Sequence, residues 1–438
     1  MFVSSTFNLK LYQGFHLPDI VPEKQRRFAI DIVRKLRAVG FEAYWAGGCV
    51  RDQLLGREPH DYDVATSAEP PEIRNLFGKR RTLPIGAAFG VITVLGPRDA
   101  GQIEVATFRR DARYSDGRHP DSVTFSTARE DATRRDFTIN GLFYDPIEQR
   151  VIDFVDGRKD LKQQVIRAIG LARERFTEDK LRMLRAVRFS ATLDFSLDEN
   201  TLAAVREMAP EISVVSAERI AGEMERMLVD PNRTTAVRLL LESGLAAVVL
   251  PEIVSSDSAL DSCDDYAKIG KVIERLSEPS FPLALAALLY QRTDSQGAIG
   301  VCRRWRMSNS HTDRVGWLLD HRGKIEAARA MKWSALQKIL IADGAEELLA
   351  LEEAVALAGS GPTDDVDYCR SLLQRPREEL DPPPLLTGDK LLEHGVPAGP
   401  AYRLLLEEAR NAQLDELIHT KAEALELVDR LIEENNRK

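Results

Sequence analysis

Apolar residues in the first 165 positions switch between helical spacing and the short runs that are typical of strands. Residues 22–38 carry apolar side chains three and four positions apart, which predicts an amphipathic helix closed by Gly40. The pattern then predicts strands at 41–46, 61–66, 89–95 and 102–108, helices at 49–55 and 70–77, and short extended or closing elements at 123–125 and 137–142. The chain therefore starts with a predicted α+β head built on a mixed β-sheet.

The pattern changes after about residue 165, where strand signals stop and helical spacing continues to the end. The clearest predicted helices of this part are 178–192, 199–208, 216–228 and 231–243. Polar, acidic or proline-rich breaks occur at 255–265, 359–365 and 381–384. We expect an all-α remainder in several pieces, because 438 residues are enough for two or more domains.

Composition narrows the setting in which this chain works. No apolar run reaches transmembrane length, and residues 1–14 lack the pattern of a secretory signal, so no membrane association is expected. The cysteines at 49, 263, 302 and 369 show no paired spacing, which favours reduced thiols, a cytoplasmic location and no zinc site. The net charge of −9 argues against general affinity for nucleic acid, yet residues 158–188 hold ten basic against four acidic side chains.

The clearest chemical signal is a glycine pair followed by two carboxylates. Gly47 and Gly48 end a predicted strand, and Asp61 and Asp63 lie on the next one. Glycines let backbone N–H groups approach phosphate oxygens. Carboxylates two positions apart on a strand point to the same side, as a divalent cation requires. Each feature alone is common in turns and solvated strand ends, but in this order they indicate nucleotide chemistry.

The two segments that carry this signal, residues 47–57 and 61–66, resemble the head of class II tRNA nucleotidyltransferases. That family includes CCA-adding enzymes, CC- and A-adding relatives and bacterial poly(A) polymerases. The resemblance is dense from 41 to about 253, weaker to 384, and returns in the tail at 385–427. It implies the following parts: a catalytic head (1–165), a helical neck with a base-reading helix (166–253), a helical body (254–380) and a tRNA-binding helical tail (381–438).

The family's reaction is an attack of a 3′-hydroxyl on an α-phosphorus, with pyrophosphate leaving. Two metal ions, expected to be Mg²⁺, can stabilise the charge on both sides of such a reaction. Asp61 and Asp63 would supply two ligands. Glu104 resembles the family's third carboxylate, and it faces away from Ile103 and Val105 on its predicted strand. The alternative for Glu104 is an exposed strand glutamate without a catalytic role.

The resemblance also implies which groups bind the triphosphate and sugar. Gly48 would contribute a backbone amide and Arg51 a guanidinium. Arg135 is the better choice in its segment for contact with phosphate or sugar. Asp136 and Asn140 would hold the ribose or neighbouring backbone, and Asp136 could instead cap a helix.

Base selection is expected from the predicted helix 178–192. Asp179 and Arg182 lie three residues apart, as neighbours on a helix do, so a local salt bridge is one interpretation. The resemblance implies instead that this pair reads the Watson–Crick edge of incoming CTP or ATP. Arg185 and Arg188 match further nucleotide contacts. Because three-residue steps drift around a helix, Arg188 would lie almost opposite Asp179 and could serve RNA or phosphate.

The resemblance thus predicts a template-independent enzyme that builds CCA on tRNA 3′ ends from CTP and ATP. The polar segment 109–121 resembles a loop needed to switch from C to A addition, and residues 216–223 resemble a helix that supports the neck. Partners are tRNA, CTP and ATP, with no protein partner inferred. The alternatives are a poly(A) polymerase, an A-only tRNA nucleotidyltransferase and, remotely, a non-catalytic RNA-binding module.

Overall fold

A computed structural model describes residues 20–111, 123–254, 263–397, 399 and 401–436 of the chain. The chain divides into two compact units, Met1–Val254 and Ser255–Lys438. The first unit contains a β-sheet and helices, and the second unit is helical throughout its described part. This mixed head followed by a mostly helical region confirms the predicted fold class, although one two-residue strand, Ser196–Leu197, lies in the part predicted to be all-α. The finer division of the chain into head, neck, body and tail stays a prediction.

The strands of the first unit are short. They are β1 (Ala43–Ala46), β2 (Asp63–Thr66), β3 (Thr82–Gly86), β4 (Val91–Leu95), β5 (Gln102–Thr107), β6 (Arg109–Asp111), β7 (Val123–Phe125), β8 (Phe143–Asp145), β9 (Arg150–Ile152), β10 (Val165–Ile166) and β11 (Ser196–Leu197). The main sheet has seven strands in the order β3-β4-β5-β2-β1-β8-β9. Its central pair, β2 and β5, is parallel, and the other pairs are antiparallel.

The helices of the first unit follow the apolar spacing of the sequence. They are α1 (Pro22–Ala38), α2 (Gly48–Leu54), α3 (Pro70–Phe77), α4 (Ala128–Thr133), α5 (Gly157–Gln163), α6 (Ala172–Glu178), α7 (Leu181–Leu193), α8 (Glu199–Met208), α9 (Ala217–Leu228), α10 (Arg233–Glu242) and α11 (Ala246–Val249). Both α1 and α3 begin with proline, whose fixed φ suits a first turn. Glu69 and Glu72 form a capping box at the start of α3, and Gly78 ends it.

Two predictions about the first unit are wrong. The predicted helix 178–192 starts too early, because Glu178 ends α6, Asp179 has an extended backbone, and α7 begins only at Leu181. The strand β3 was missed because Pro84 and Gly86 make its sequence read as a loop. Its place at the edge of the sheet explains why a proline is tolerated there.

The second unit is built from helices packed around apolar side chains. They are α12 (Cys263–Arg275), α13 (Phe281–Leu289), α14 (Ser295–Arg304), α15 (Asn309–Asp320), α16 (Trp333–Leu340), α17 (Ala345–Ala358), α18 (Asp364–Leu373), α19 (Arg377–Leu380), α20 (Gly388–Glu393), α21 (Ala401–Leu414) and α22 (Lys421–Asn436). Every residue of α13 is buried. Leu391, Leu405 and Val428 belong to a separate apolar cluster that joins α20, α21 and α22.

Two further findings bear on the expected setting. The described part of the chain has no helix that is both long enough and apolar enough to span a bilayer. The thiols of Cys49, Cys302 and Cys369 are free and buried. The side chain of Cys263 lies outside the described residues.

Candidate active site

The glycine pair forms the turn between β1 and α2. Gly47 has φ of +75°, a conformation that side chains disfavour, and a Cβ added there would lie 3.0 Å from Nη1 of Arg135. Gly48 is the first residue of α2. The turn therefore places the start of α2 next to the Arg135 side chain. A bound phosphate group could contact both.

The carboxylates meet on the two parallel central strands. Asp63 on β2 is the register partner of Glu104 on β5, so the two side chains stand side by side on one face of the sheet. Asp61 comes two residues earlier, just before β2, and is exposed. Ile103 and Val105 are fully buried on the opposite face, as the alternation predicts.

The electrostatics of Asp63 reflect this crowding. Burial, followed by the charges of Glu104 and Asp61, raises the pKa of Asp63 to about 8. A cation between these oxygens would relieve the repulsion. Within the described ranges, no three Asp, Glu, His or Cys side chains form a ready-made metal site. The donor set nevertheless fits Mg²⁺, which is commonly held by one or two carboxylates together with substrate phosphates and water.

A cavity of about 290 Å³ opens beside these carboxylates. Of the described residues that line it, seven are arginine and five are aspartate. The sequence-predicted residues on its wall are Gly48, Arg51, Asp61, Asp63, Arg135, Asp136, Asn140, Asp179, Arg182, Arg185 and Arg188. Glu104 stands next to Asp63 but does not line the cavity. The fold therefore gathers almost all of the predicted site, drawn from segments more than a hundred residues apart.

Two arginines at the glycine turn are held firmly. Arg51 donates to both carboxylate oxygens of Asp52, at 2.8 and 3.0 Å, and to Oδ1 of Asn140 at 2.8 Å. Arg135 donates from Nη2 to the buried Asp131 at 2.9 Å. Burial would raise the pKa of Asp131, but the charges of Arg134 and Arg135 outweigh it and lower the pKa to about 2. Asp131 therefore remains a carboxylate at neutral pH and fixes Arg135 against the turn.

Asp136 connects the sheet-side segment to α7. Its Oδ1 accepts from the backbone N–H of Phe137 at 2.8 Å and from Nδ2 of Asn140 at 3.1 Å. Its Oδ2 accepts from Nε of Arg185 at 2.9 Å. Burial opposes ionisation, yet the Arg185 charge and hydrogen bond dominate and hold the pKa of Asp136 far below its usual range. Asp136 thus orients both Asn140 and Arg185. It does not cap a helix, because the 3₁₀ turn Thr138–Asn140 that follows it has no side-chain cap.

The two predicted base-reading residues are not helix neighbours. Asp179 precedes α7, and its Oδ2 accepts from Nη2 of Arg219 on α9 at 2.8 Å. Its Oδ1 accepts from the backbone N–H of Leu181 at 3.1 Å. Arg182 instead donates from Nη1 to Glu178 at 2.6 Å. The helical-neighbour geometry is therefore wrong and each residue has its own ion-pair partner, but both side chains are buried on the cavity wall.

Farther along α7, Arg188 pairs with the buried Glu223 of α9. Burial lowers the pKa of Arg188 to about 10, although the Glu223 charge raises it, so Arg188 stays protonated at neutral pH. Glu223 also pairs with Arg226 at 3.1 Å, and the Arg226 side chain is 48% exposed at the edge of the cavity. One carboxylate on α9 therefore anchors Arg188, whose side chain is 12% exposed, and the half-exposed Arg226.

Sequence reasoning missed several residues of the site. Phe189 and Arg226 line the cavity, and Arg219, which the sequence assigned only to a supporting helix, donates a hydrogen bond to Asp179. Phe189 follows Arg188 directly, but its spacing alone marks it as one more apolar position of a buried helix. Arg226 and Arg219 lie on α9, whose approach to α7 is a tertiary contact that no local pattern encodes.

One predicted feature lies mostly outside the described residues. Of the segment 109–121, residues 112–121 are not described, and Arg109–Asp111 forms β6, which pairs with β7. The role of this segment as a switching loop stays a prediction.

Comparison with known proteins gives matches over most of the chain. A family model described as Poly A polymerase head domain matches residues 43–167, and one described as probable RNA and SrmB- binding site of polymerase A matches residues 194–256. A CCA-adding enzyme of Streptococcus sanguinis is 35% identical over 404 residues, which are 91% of this chain and 95% of the relative. A CCA-adding enzyme of Lactobacillus gasseri is 32% identical with the same coverage.

The structural comparison agrees with these matches. The crystal structure of the Bacillus stearothermophilus CCA-adding enzyme in complex with CTP superposes with a TM-score of 0.73 at 29% identity. The match covers 94% of this chain and 99% of that one. The similarity in sequence and in fold therefore extends across both compact units.

Proposed function

This chain belongs to the family of CCA-adding enzymes, and we propose that it adds C, C and A to tRNA 3′ ends from CTP and ATP. Each addition is a nucleotidyl transfer that releases pyrophosphate. The observation that supports this most directly is that one cavity gathers aspartates, arginines and the glycine turn. We assign the protein to the cytoplasm.

The metal-binding role falls to Asp61, Asp63 and Glu104. When bound, Mg²⁺ ions would stabilise the charge on the attacking and leaving oxygens of the in-line displacement. Asp63 and Glu104 are side by side in the sheet. Asp61, two residues before Asp63, adds a further negative charge. Asp61 and Asp63 line the cavity that also contains the glycine turn, and Glu104 lies beside Asp63 outside its lining.

The triphosphate lies, in this proposal, between the glycine turn and the arginines around it. Gly48 offers a backbone N–H at the first turn of α2, where the helix dipole favours anions. Arg51 and Arg135 are fixed by carboxylates and present rigid guanidinium groups. Their orientation is set before the nucleotide arrives, so little conformational entropy is lost when it binds.

Base selection uses Asp179 and Arg182, although they do not contact the base as helix neighbours. The Asp179 carboxylate has already accepted two hydrogen bonds, and a carboxylate offers about four acceptor sites. It can therefore still accept from the exocyclic amine that cytosine and adenine share. Arg182 donates to Arg175, Glu178 and Arg134, and a guanidinium carries five N–H groups, which leaves donors for the base edge.

A direct assay separates this function from its enzymatic alternatives. Purified protein is given a tRNA that lacks its 3′ end, together with CTP alone, ATP alone or both. We expect two CMP with CTP alone and a complete CCA only with both nucleotides. AMP addition to a tRNA that already ends in CC, without any CMP addition to the shorter tRNA, would indicate an A-only enzyme. Continued AMP addition would indicate a poly(A) polymerase.

A further inference from the structure

Three arginines of the site surround one aromatic ring. The guanidinium carbon of Arg188 lies 4.0 Å from the ring centroid of Phe189, and those of Arg51 and Arg185 each lie 5.1 Å from it. The ring lines the cavity and is 6% exposed. These distances are within the range in which a cation is attracted to an aromatic face.

Each of these arginines is also tied to a carboxylate. Arg51 pairs with Asp52, Arg185 with Asp136 and Arg188 with Glu223. A carboxylate holds one edge of a guanidinium group, whereas contact with a ring restrains its plane. The combination leaves each group little freedom to rotate.

The ring is itself fixed. Phe189 meets Phe137 in an edge-on contact, with ring centroids 5.8 Å apart and planes at 78°. Phe137 is fully buried, and its backbone N–H is bound by Asp136. Phe189 therefore has a defined position, and α2 and α7 both place an arginine against it.

We infer that Phe189 is a positioning residue, which holds the guanidinium groups of Arg51, Arg185 and Arg188 in the orientation that binds the nucleoside triphosphate. The uncharged ring attracts the three guanidinium groups into a small cavity. Unlike a carboxylate, it does not neutralise their positive charge. Because the ring contacts Arg51 of α2, which follows the glycine turn, and Arg185 and Arg188 of α7, it couples the two halves of the nucleotide site. The inference rests on the proposed function, because it assumes that a nucleoside triphosphate occupies this cavity.

The test compares Phe189→Leu with Phe189→Tyr, using CTP as the probe. Leucine keeps an apolar side chain but removes the ring, and tyrosine keeps the ring. We expect Phe189→Leu to raise KM for CTP about tenfold, since cation–π contacts are individually worth a factor of a few. The dissociation constant of tRNA should stay within about twofold. Phe189→Tyr should keep KM for CTP within about threefold of the wild-type value.

The matched control is Phe176→Leu. Phe176 is fully buried in α6 and does not line the cavity, so its replacement should lower Tm and leave KM for CTP within about twofold. If Phe189→Leu does not fold, Phe189→Met carries the same prediction. CTP affinity is also measured by calorimetry without tRNA, so that it does not depend on the overall reaction.

The outcomes separate the two proposals. An unchanged KM and an unchanged CTP affinity in Phe189→Leu would overturn the positioning role. So would equal damage in the leucine and tyrosine variants, because the effect would then come from packing alone. Wild-type protein that binds CTP but does not extend tRNA would instead contradict the proposed function.

Discussion

The Asp179 carboxylate accepts a hydrogen bond from the Arg219 guanidinium, with 2.8 Å between Oδ2 and Nη2. The two residues are forty positions apart in the chain. Asp179 lies in the break between α6 and α7, and Arg219 lies on α9. The carboxylate is 2% exposed, so an unpaired charge there would be costly. The orientation of the Asp179 side chain is therefore set by α9, a helix that is not adjacent to it in the sequence.

Replacing Arg219 with glutamine should loosen base selection. Without its partner, the Asp179 side chain can rotate, and the hydrogen bond to a charged group that it loses is worth about 1.5–3 kcal/mol. We expect kcat/KM for CTP to fall about ten- to a hundredfold, and the preference for CTP over UTP to fall with it. Single-nucleotide incorporation with each of the four triphosphates measures both.

Arg238→Gln is the matched control for this change. Arg238 lies on α10 of the same unit and forms an exposed pair with Glu242, so its loss should change stability by less than about 1 kcal/mol. Equal nucleotide selectivity in the two variants would show that Arg219 has no special role.

Replacing Asp63 with asparagine should remove activity without unfolding the protein. The change takes away a proposed metal ligand, so we expect nucleotide incorporation to fall by about a thousandfold or more. It also replaces a carboxyl whose ionised form is disfavoured by burial and by the charges of Glu104 and Asp61, and Tm should therefore stay the same or rise. Thermal melting and CTP incorporation at saturating Mg²⁺ test both parts. A variant that keeps full incorporation would refute the metal assignment.

Arg226 should act on the RNA and not on the nucleotide. Its side chain is half-exposed at the edge of the cavity, where a primer backbone phosphate can reach it. We expect Arg226→Gln to raise KM for tRNA several-fold, to leave KM for CTP unchanged, and to reduce the salt dependence of tRNA binding by about one ion. Arg226→Lys should retain most of the salt dependence. A change in KM for CTP alone would contradict this assignment.

Asp131 should make the first unit sensitive to acid. Its pKa is about 2 in the folded protein and about 3.8 when unperturbed, so it contributes stability above pH 4 that disappears as the pH falls towards 2. This contribution is on the order of 2 kcal/mol. Urea unfolding between pH 7 and pH 2.5 should show the difference between wild type and Asp131→Asn shrinking at low pH. A difference that does not depend on pH would contradict the prediction.

Gly47 and Gly48 should respond differently to alanine. At Gly47 the positive φ and the approach to Arg135 make a Cβ unfavourable, and we expect Gly47→Ala to cost about 1–3 kcal/mol. At Gly48 a Cβ would be 3.7 Å from its nearest neighbour, Arg51, so Gly48→Ala should not lower the free energy of unfolding. Equal values of Tm for the two variants would contradict this difference.

The local sequence pattern predicted an element correctly where the residues of that element, by themselves, favour its structure. The bounds of α1 and α3 follow from apolar spacing, proline starts and a glycine end, and the alternation around Glu104 places that side chain away from the core. Pattern was misleading at residue 179, because the residues on both sides favour helix and only contacts with α9 favour the break. It was also silent on β3, whose pairing with β4 supplies a stability that its own sequence does not suggest.

The sequence by itself determined the order of an α+β head and an all-α remainder, and the types of side chain that the reaction needs. Those properties depend on periodicity and on residue chemistry, which act over a few neighbouring positions. Only the tertiary structure decided that Arg219 and Glu223 of α9 orient Asp179 and Arg188, and that Arg51 of α2 meets the Phe189 ring. These partners are distant along the chain, and packing of buried helices, not local preference, brings them within contact distance.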